Sequence, residues 1–398
     1  IDDDEKLTAF LVESDTEGIT LNPEEKKMGI KGSSTRQIFF NNVKVPVENM
    51  LSARENGFKI ALNILNIGRI KLAAGVMGGC KQAITTAVNY ANEREQFGRA
   101  ISKYGAIRYK LAESAIRAFA VESATYRAGQ NIDDAIAGYM AEGMEKGEAT
   151  LKGIEQFAPE CAILKVAGSE ALDYVVDEAV QIHGGMGYSA ESSIERAYRD
   201  ARINRIFEGT NEINRLLTID MVLRRAMKGE LDLMGPAMKV AGELMSIPEM
   251  GEKPTGVFGN EIGYLEGFKK SILMVAGSAV QKLMQTMSKE QEILMNIADI
   301  AIDIYLAEST LLRTQQMIAL KGEEACEAQI AMTKAFFYDA SDRINKAGKD
   351  AINSFAEGDE LRMMMMGLKR FTKVEPFNPK EARQLIATKI IEANEYCY

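Results

Sequence analysis

The pattern of apolar and polar positions changes period once along the chain. Leu7 to Val12 and Gln37 to Val45 are short runs rich in apolar and β-branched residues, the second bent at Asn41-Asn42 and closed by Pro46. Such runs read as strands of hairpins. Two or three strands cannot bury a sheet face unaided, so this segment is expected to be the last part of a larger β unit whose beginning is absent. From about Glu55 the period becomes helical. Phe58, Leu62, Leu65 and Arg69 open a segment running to about Asn92; Ile107, Leu111, Ala115 and Ala118 mark a second; Ile154, Phe157, Cys161 and Leu164 mark a third that stops at Gly184-Gly185. Three helices of that length, joined by short connections, predict an antiparallel bundle. A fourth helical stretch follows near Ser192 to Arg205, then a break at Glu208-Gly209-Thr210 and a helix from about Asn211 to Met227, which Thr210 or Asn211 can cap.

Beyond Gly229 the pattern loosens through Gly235-Pro236, Pro248, Gly251 and Pro254-Thr255-Gly256. Residues 229–260 are therefore expected to form a linker with a short helix, and 261–398 a second helical block, in which Asn378-Pro379 is a good helix start. The expected fold class is mainly α: a residual β segment over 1–50, an antiparallel four-helix bundle over 51–228, and a second C-terminal helical domain. The 398 residues, 46% of them apolar, suffice for well-buried cores.

Charge and cysteine usage narrow the function classes. A net charge of -9 supplies no global positive field for a nucleic-acid backbone. Cys80, Cys161, Cys326 and Cys397 lie far apart with one histidine, His183, to join them, so neither a zinc site nor a disulfide framework is expected. Without a signal peptide or an apolar run long enough to cross a bilayer, the pattern fits a protein of a reducing compartment. The first residues are Ile1-Asp2-Asp3-Asp4 rather than Met, which adds to the expectation of a missing N-terminal segment and any targeting signal it holds.

Three short stretches carry candidate chemistry. Glu208 stands between Phe207 and Gly209 just before a helix. A carboxylate on a bend among apolar side chains is desolvated, which makes it a usable proton acceptor; the alternative is a charge that favours the following helix dipole. Gln181-Ile-His-Gly-Gly-Met-Gly-Tyr188 places glycines at a helix end, where backbone can approach a ligand or close an ordinary C-cap. Glu93-Arg-Glu-Gln-Phe-Gly98 offers an arginine fork for a phosphate and Phe97 to cover a ring, or a helix end with Arg94 on its last carbonyls.

Together with Lys27-Met-Gly-Ile-Lys-Gly-Ser-Ser-Thr35, Val43-Lys-Val-Pro46 and Gly68-Arg69, these stretches resemble the acyl-CoA dehydrogenase family over roughly residues 1–228. The block after them is similar to the C-terminal extension of very-long-chain acyl-CoA dehydrogenases. The resemblance implies an N-terminal helical domain and most of a middle β domain outside this chain, and FAD as cofactor. It implies α,β-dehydrogenation of a fatty acyl-CoA, long-chain by its extension, to the trans-2-enoyl-CoA in β-oxidation. Glu208 then matches the catalytic base. Arg94, Gln96, Phe97, Gln181 and Gly185 match contacts to the FAD of a neighbouring subunit, and Thr210 and Glu212 match cofactor contacts beside the base. Arg69 and Gly209 support the site.

The same resemblance implies an electron-transfer flavoprotein as acceptor and a homodimer or tetramer, in the cytoplasm of a bacterium or the mitochondrion of a eukaryote. Rival readings are an acyl-CoA oxidase-like flavoenzyme and a non-catalytic assembly or scaffolding relative. A third is a membrane-surface protein: Leu361 to Phe371 sets Met363 to Met366 between Arg362, Lys369 and Arg370, as an interfacial helix would. A methionine-rich packing helix explains the same pattern.

Overall fold

The computed structural model describes residues 6–245 and 254–398; Pro248 and Gly251 of the expected linker lie outside the described residues. Six short strands precede or interrupt twelve α-helices among the described residues. The strands are β1 (Ala9–Phe10), β2 (Ile19–Leu21), β3 (Ile38–Phe40), β4 (Met50–Leu51), β5 (Glu95–Gln96) and β6 (Arg99–Ala100). They form three antiparallel pairs, β1 with β4, β2 with β3 and β5 with β6. The two runs expected to be strands thus find separate partners. The sharp bend falls at Asn42, whose φ is +51°. Ile38, Phe39 and Phe40 of β3 stay exposed, as a two-stranded ribbon has no second face to bury them.

The helices are α1 (Gly57–Glu93), α2 (Gly105–Ala141), α3 (Lys146–Gln156), α4 (Ala158–His183), α5 (Ser193–Ala201) and α6 (Asn211–Met227), followed by α7 (Met234–Met245), α8 (Gly259–Leu283), α9 (Gln291–Lys321), α10 (Glu327–Phe355), α11 (Gly358–Phe371) and α12 (Pro379–Ala393). The third expected helix is two. Phe157 leaves helical geometry (φ −105°, ψ 24°), and Pro159 opens α4, where its missing N–H costs no bond. By length and composition α1 could cross a membrane, contrary to the expectation of no such run. Its Ala73, Val76, Cys80 and Ile84 are instead buried in the bundle core.

α1 and α4 run parallel and touch closely. A Cβ on Gly168 of α4 would stand 2.9 Å from Val76 Cγ2 and 3.4 Å from Ala73 Cα, so only glycine permits this approach. α2 runs against both, with the Arg117 guanidinium 3.8 Å over the Tyr174 ring. The C-terminal block shares the bundle's core: Phe268, Ile300, Phe337, Ile344 and Ile386 belong to the same buried cluster as Ala73 and Leu164. A second cluster joins α6 to α7 through α11. Asn378 Oδ1 caps α12 by accepting from the Glu381 N–H at 3.3 Å. In α11, Met364 is buried and Met366 exposed, so the methionine run packs along one side.

Gly168→Val should destabilise the fold by about 1–3 kcal/mol through overpacking of the α1–α4 contact. Urea unfolding checks this, and an unchanged midpoint would mean that the two helices do not meet there.

Candidate active site

The break before α6 has an unusual backbone. Glu208 and Gly209 are both left-handed, with φ of +60° and +81°. A glutamate in that region costs about 1 kcal/mol or more, so its surroundings must hold it. Arg69 Nε and Asn214 Nδ2 each donate to the Glu208 carbonyl at 3.2 Å. Asn214 Nδ2 also reaches the carbonyls of Gly209 at 2.8 Å and Thr210 at 3.0 Å. Asn66 Oδ1 fixes the Arg69 fork from Nη1 at 3.0 Å. Thr210 is the N-cap of α6, its Oγ1 accepting from the Ile213 N–H at 3.4 Å.

With its main chain so held, the Glu208 side chain turns back toward α1. A Cβ on Gly68 would lie 2.6 Å from Glu208 Cδ, so the carboxyl rests where a side chain is missing. Oε2 is buried and has no hydrogen-bond partner. A buried carboxylate oxygen without a donor is costly to keep. It is left able to accept a proton from something placed against it.

Two cations lie buried on the neighbouring helices, Arg69 on α1 and Lys165 on α4. Arg69 is 5% exposed, and burial pulls it below the usual guanidinium range while Cys161 and Glu208 act the other way. Lys165 of α4 is 0% exposed and is drawn down to about 8 by burial, opposed by Glu212, Glu170 and Glu208 and assisted by Arg69. Its Nζ donates to Asn211 Oδ1 at 2.7 Å. Glu212 is exposed, and its own backbone amide and the Thr210 hydroxyl hold its carboxyl below the ordinary range.

The other candidate residues gather at the far end of α1. Arg94 is the C-cap of α1, its N–H donating to the Tyr90 carbonyl, and the chain then turns through a hairpin, β5–β6, whose turn residues Phe97 and Gly98 have φ of +53° and +85°. Two consecutive positive φ values match the twist of a tight hairpin. Phe97 is 93% exposed, and Arg94 and Gln96 are exposed with it. Gln181 and Gly185 are exposed at the end of α4, where Gly184 (φ 57°, ψ −137°) closes the helix by donating to the Gln181 carbonyl. The two motifs are locked together by the ring stack of Tyr90 on His183, centroids 4.3 Å apart. His183 Nδ1 lies 2.7 Å from the Ala179 carbonyl; as that oxygen can only accept, Nδ1 carries the proton.

The structure thus brings Arg69, Glu208, Gly209, Thr210 and Glu212 together, and Arg94, Gln96, Phe97, Gln181 and Gly185 together, but not the two groups with each other. Sequence reasoning missed the seat at Gly68, the triple donation by Asn214, and the Lys165–Asn211 bond. One signal was available: Lys165 interrupts the apolar run Ala162-Ile-Leu-Lys-Val-Ala167.

A family model described as acyl-CoA dehydrogenase, C-terminal domain, matches residues 55–223, and a second of the same description matches 267–370. A Bacillus subtilis (strain 168) protein named "Probable acyl-CoA dehydrogenase" is 44% identical over 395 residues, 99% of this chain and 66% of its own. The human mitochondrial very long-chain specific acyl-CoA dehydrogenase is 37% identical over 372 residues, 88% of this chain and 53% of its own. The crystal structure of a Bacillus anthracis acyl-CoA dehydrogenase complexed with FAD superimposes with a TM-score of 0.95 at 44% identity, covering 99% of this chain and 67% of that one. The chain therefore spans about two thirds of the bacterial relatives and about half of the human one.

Burial lowers the His183 pKa below its ordinary 6.5. Its contribution to stability is fully present above the unfolded value of about 6.5 and is lost as pH falls through the lower folded value. Unfolding free energies measured across that window should fall more steeply for the wild type than for His183→Phe; parallel curves would contradict the assignment.

Proposed function

The chain belongs to the acyl-CoA dehydrogenase family, and from that premise we propose that it is the base-bearing part of an FAD-dependent acyl-CoA dehydrogenase, with Glu208 removing the α proton of a fatty acyl-CoA thioester. The observation that carries this reading is the Glu208 carboxyl, seated against Gly68 with Oε2 buried and unpartnered. A general base needs an open lone pair, little water and a fixed position. All three are present.

The exposed residues suit a dinucleotide flavin. The hairpin presents a guanidinium, an amide and a ring, and the glycine turn after α4 presents backbone without side chains. Arg94, Gln96, Phe97, Gln181 and Gly185 would hold the cofactor at one end of α1, and Thr210 and Glu212 at the other. FAD, when bound, supplies the two-electron acceptor for the β hydrogen. Glu208 would receive the α proton, Arg69 keeps the Glu208 carbonyl in place, and the Glu208 backbone N–H would help hold the thioester oxygen as it gains charge. The product is the trans-2-enoyl-CoA, as in β-oxidation.

The stretch of α1 from Gly68 to Tyr90 is about 33 Å long at helical rise. That separation within one chain supports a homo-oligomer, favoured as a dimer, in which the hairpin and glycine turn of one subunit serve the cofactor beside Glu208 of another. Residues 51–228 are read as the flavin-binding bundle and 261–398 as the extension. The similarity to very long-chain relatives across this extension supports a long-chain substrate, with an electron-transfer flavoprotein as acceptor. The similarity to a Bacillus subtilis protein supports a bacterial cytoplasmic setting.

Anaerobic flavin bleaching by acyl-CoAs of graded length tests the reading. Glu208→Gln should retain FAD and lose at least about 100-fold in bleaching rate; wild-type bleaching in that variant overturns the assignment. Gly68→Ala places a methyl against the flexible end of Glu208. Its stability should change by less than about 1 kcal/mol while the bleaching rate falls roughly 100-fold, because the base is displaced by about 1 Å.

A further inference from the structure

A buried carboxyl in the C-terminal block has no part in the reading above. Glu261, in the first turn of α8, is 7% exposed. An acid in a first helical turn favours the helix dipole, which accounts for its sign. Its burial needs another cause, because the dipole acts on an exposed carboxylate too, without the cost of taking the charge out of water. Its own backbone N–H bonds the carboxyl, and no side chain among the described residues does. Burial pushes it above the usual carboxylate range, and the charge of Lys334 on α10 acts the other way. The two do not close into an ion pair, and the Lys334 ammonium bonds no other group among the described residues.

Glu261 and Lys334 instead line a common cavity of about 210 Å³. Rings wall it: Tyr264 of α8, Tyr338 of α10 and Phe377 from the segment that joins α11 to α12. The Tyr338 and Phe377 centroids are 5.6 Å apart, the rings inclined at 46°. The Tyr264 hydroxyl accepts from the Glu375 N–H at 2.9 Å, which fixes that segment against the cavity. The chain's own cations cover rings elsewhere, as Arg117 does Tyr174 and Arg127 does Tyr305, but among the described residues none lies over Tyr264, Tyr338 or Phe377.

The volume lies below the roughly 300–1,000 Å³ of pockets for drug-sized ligands, so an occupant is small. A buried carboxylate that only accepts, an ammonium that only donates and uncovered ring faces are together complementary to a molecule carrying both charges. A lone amine would be opposed by Lys334, and a lone carboxylate by Glu261. We propose that this cavity binds a small zwitterionic amino acid, its ammonium donating to Glu261 against the ring faces and its carboxylate meeting Lys334. The occupant would join α8, α10 and the segment leading to α12. Nothing in this depends on Glu208.

Isothermal titration calorimetry of the intact FAD-loaded protein tests it with glycine, β-alanine and γ-aminobutyrate, which set the two charges progressively further apart, and with propylamine and propionate, which carry one charge each. One of the three amino acids should bind at least about tenfold tighter than either single-charge probe. Glu261→Gln and Lys334→Met, on different helices, should each weaken that binding about tenfold, and Tyr338→Leu about threefold. Flavin bleaching by an acyl-CoA should be the same in all three variants as in the wild type, which shows that they fold. Where Glu261→Gln fails to hold flavin, Lys334→Met carries the comparison. No binding of any amino acid at up to about 10 mM overturns the proposal. So does a single-charge probe that binds as tightly as the amino acid, or an affinity left unchanged by Lys334→Met.

Discussion

Everything at the site hangs on how closely α4 lies along α1. The approach is permitted by Gly168, where any Cβ would press on Val76. From there the two parallel helices set both ends of the molecule's candidate chemistry. Toward the start of α1, α4 delivers Lys165, Ser169 and Glu170 to the beginning of α6, and so controls the bend that carries Glu208. Toward the end, the Tyr90–His183 stack joins the hairpin to the glycine turn. A small change in helix separation would move both groups, because side chains packed at interior density have no slack to absorb it.

The bend itself shows local conformational cost offset by distant atoms. Two left-handed residues in succession are held by donors from α1 and α6, Arg69 on the Glu208 carbonyl and Asn214 on the carbonyls of Glu208, Gly209 and Thr210. Glycine at 68 completes the arrangement by leaving room for the carboxyl. The outcome is a carboxyl with a fixed main chain and a buried, unpartnered oxygen.

The C-terminal block acts on this scaffold from behind α2. Glu113 and Glu122 of α2, both 2% exposed, take arginines from the block: Arg383 Nε reaches Glu113 Oε1 at 2.6 Å, and Arg313 Nη1 reaches Glu122 Oε2 at 2.9 Å. Arg127 of α2 returns the favour to Glu308 at 2.9 Å. Between the blocks lies a cleft of about 630 Å³ edged by Arg215, Asp299, Asp303 and Arg343. Buried acids bonded to arginine forks are sensitive to geometry, so they fix register more than they add stability. This face of the bundle is therefore covered by the same chain.

The order of elements was largely written along the chain. Helical periodicity marked α1, α2 and α6, glycine marked the end of α4, and Asn378-Pro379 marked the start of α12. The acyl-CoA dehydrogenase motifs pointed to Glu208 and to the residues expected to meet a cofactor. The split at Phe157 was not legible, because apolar spacing continues in phase across it. The partners of the short strands were not legible either, since a two-residue strand carries too little pattern to specify register. What only the tertiary structure decided is the condition of Glu208. Its seat against Gly68, the grip of Asn214 and the bond from Arg69 join residues far apart along the chain or set by a single turn's rotation. No periodicity records such distances. The sequence by itself determined which residue types were present and in which elements they lay; burial, pairing and charge at the site arise only when α1, α4 and α6 close on one another and exclude water.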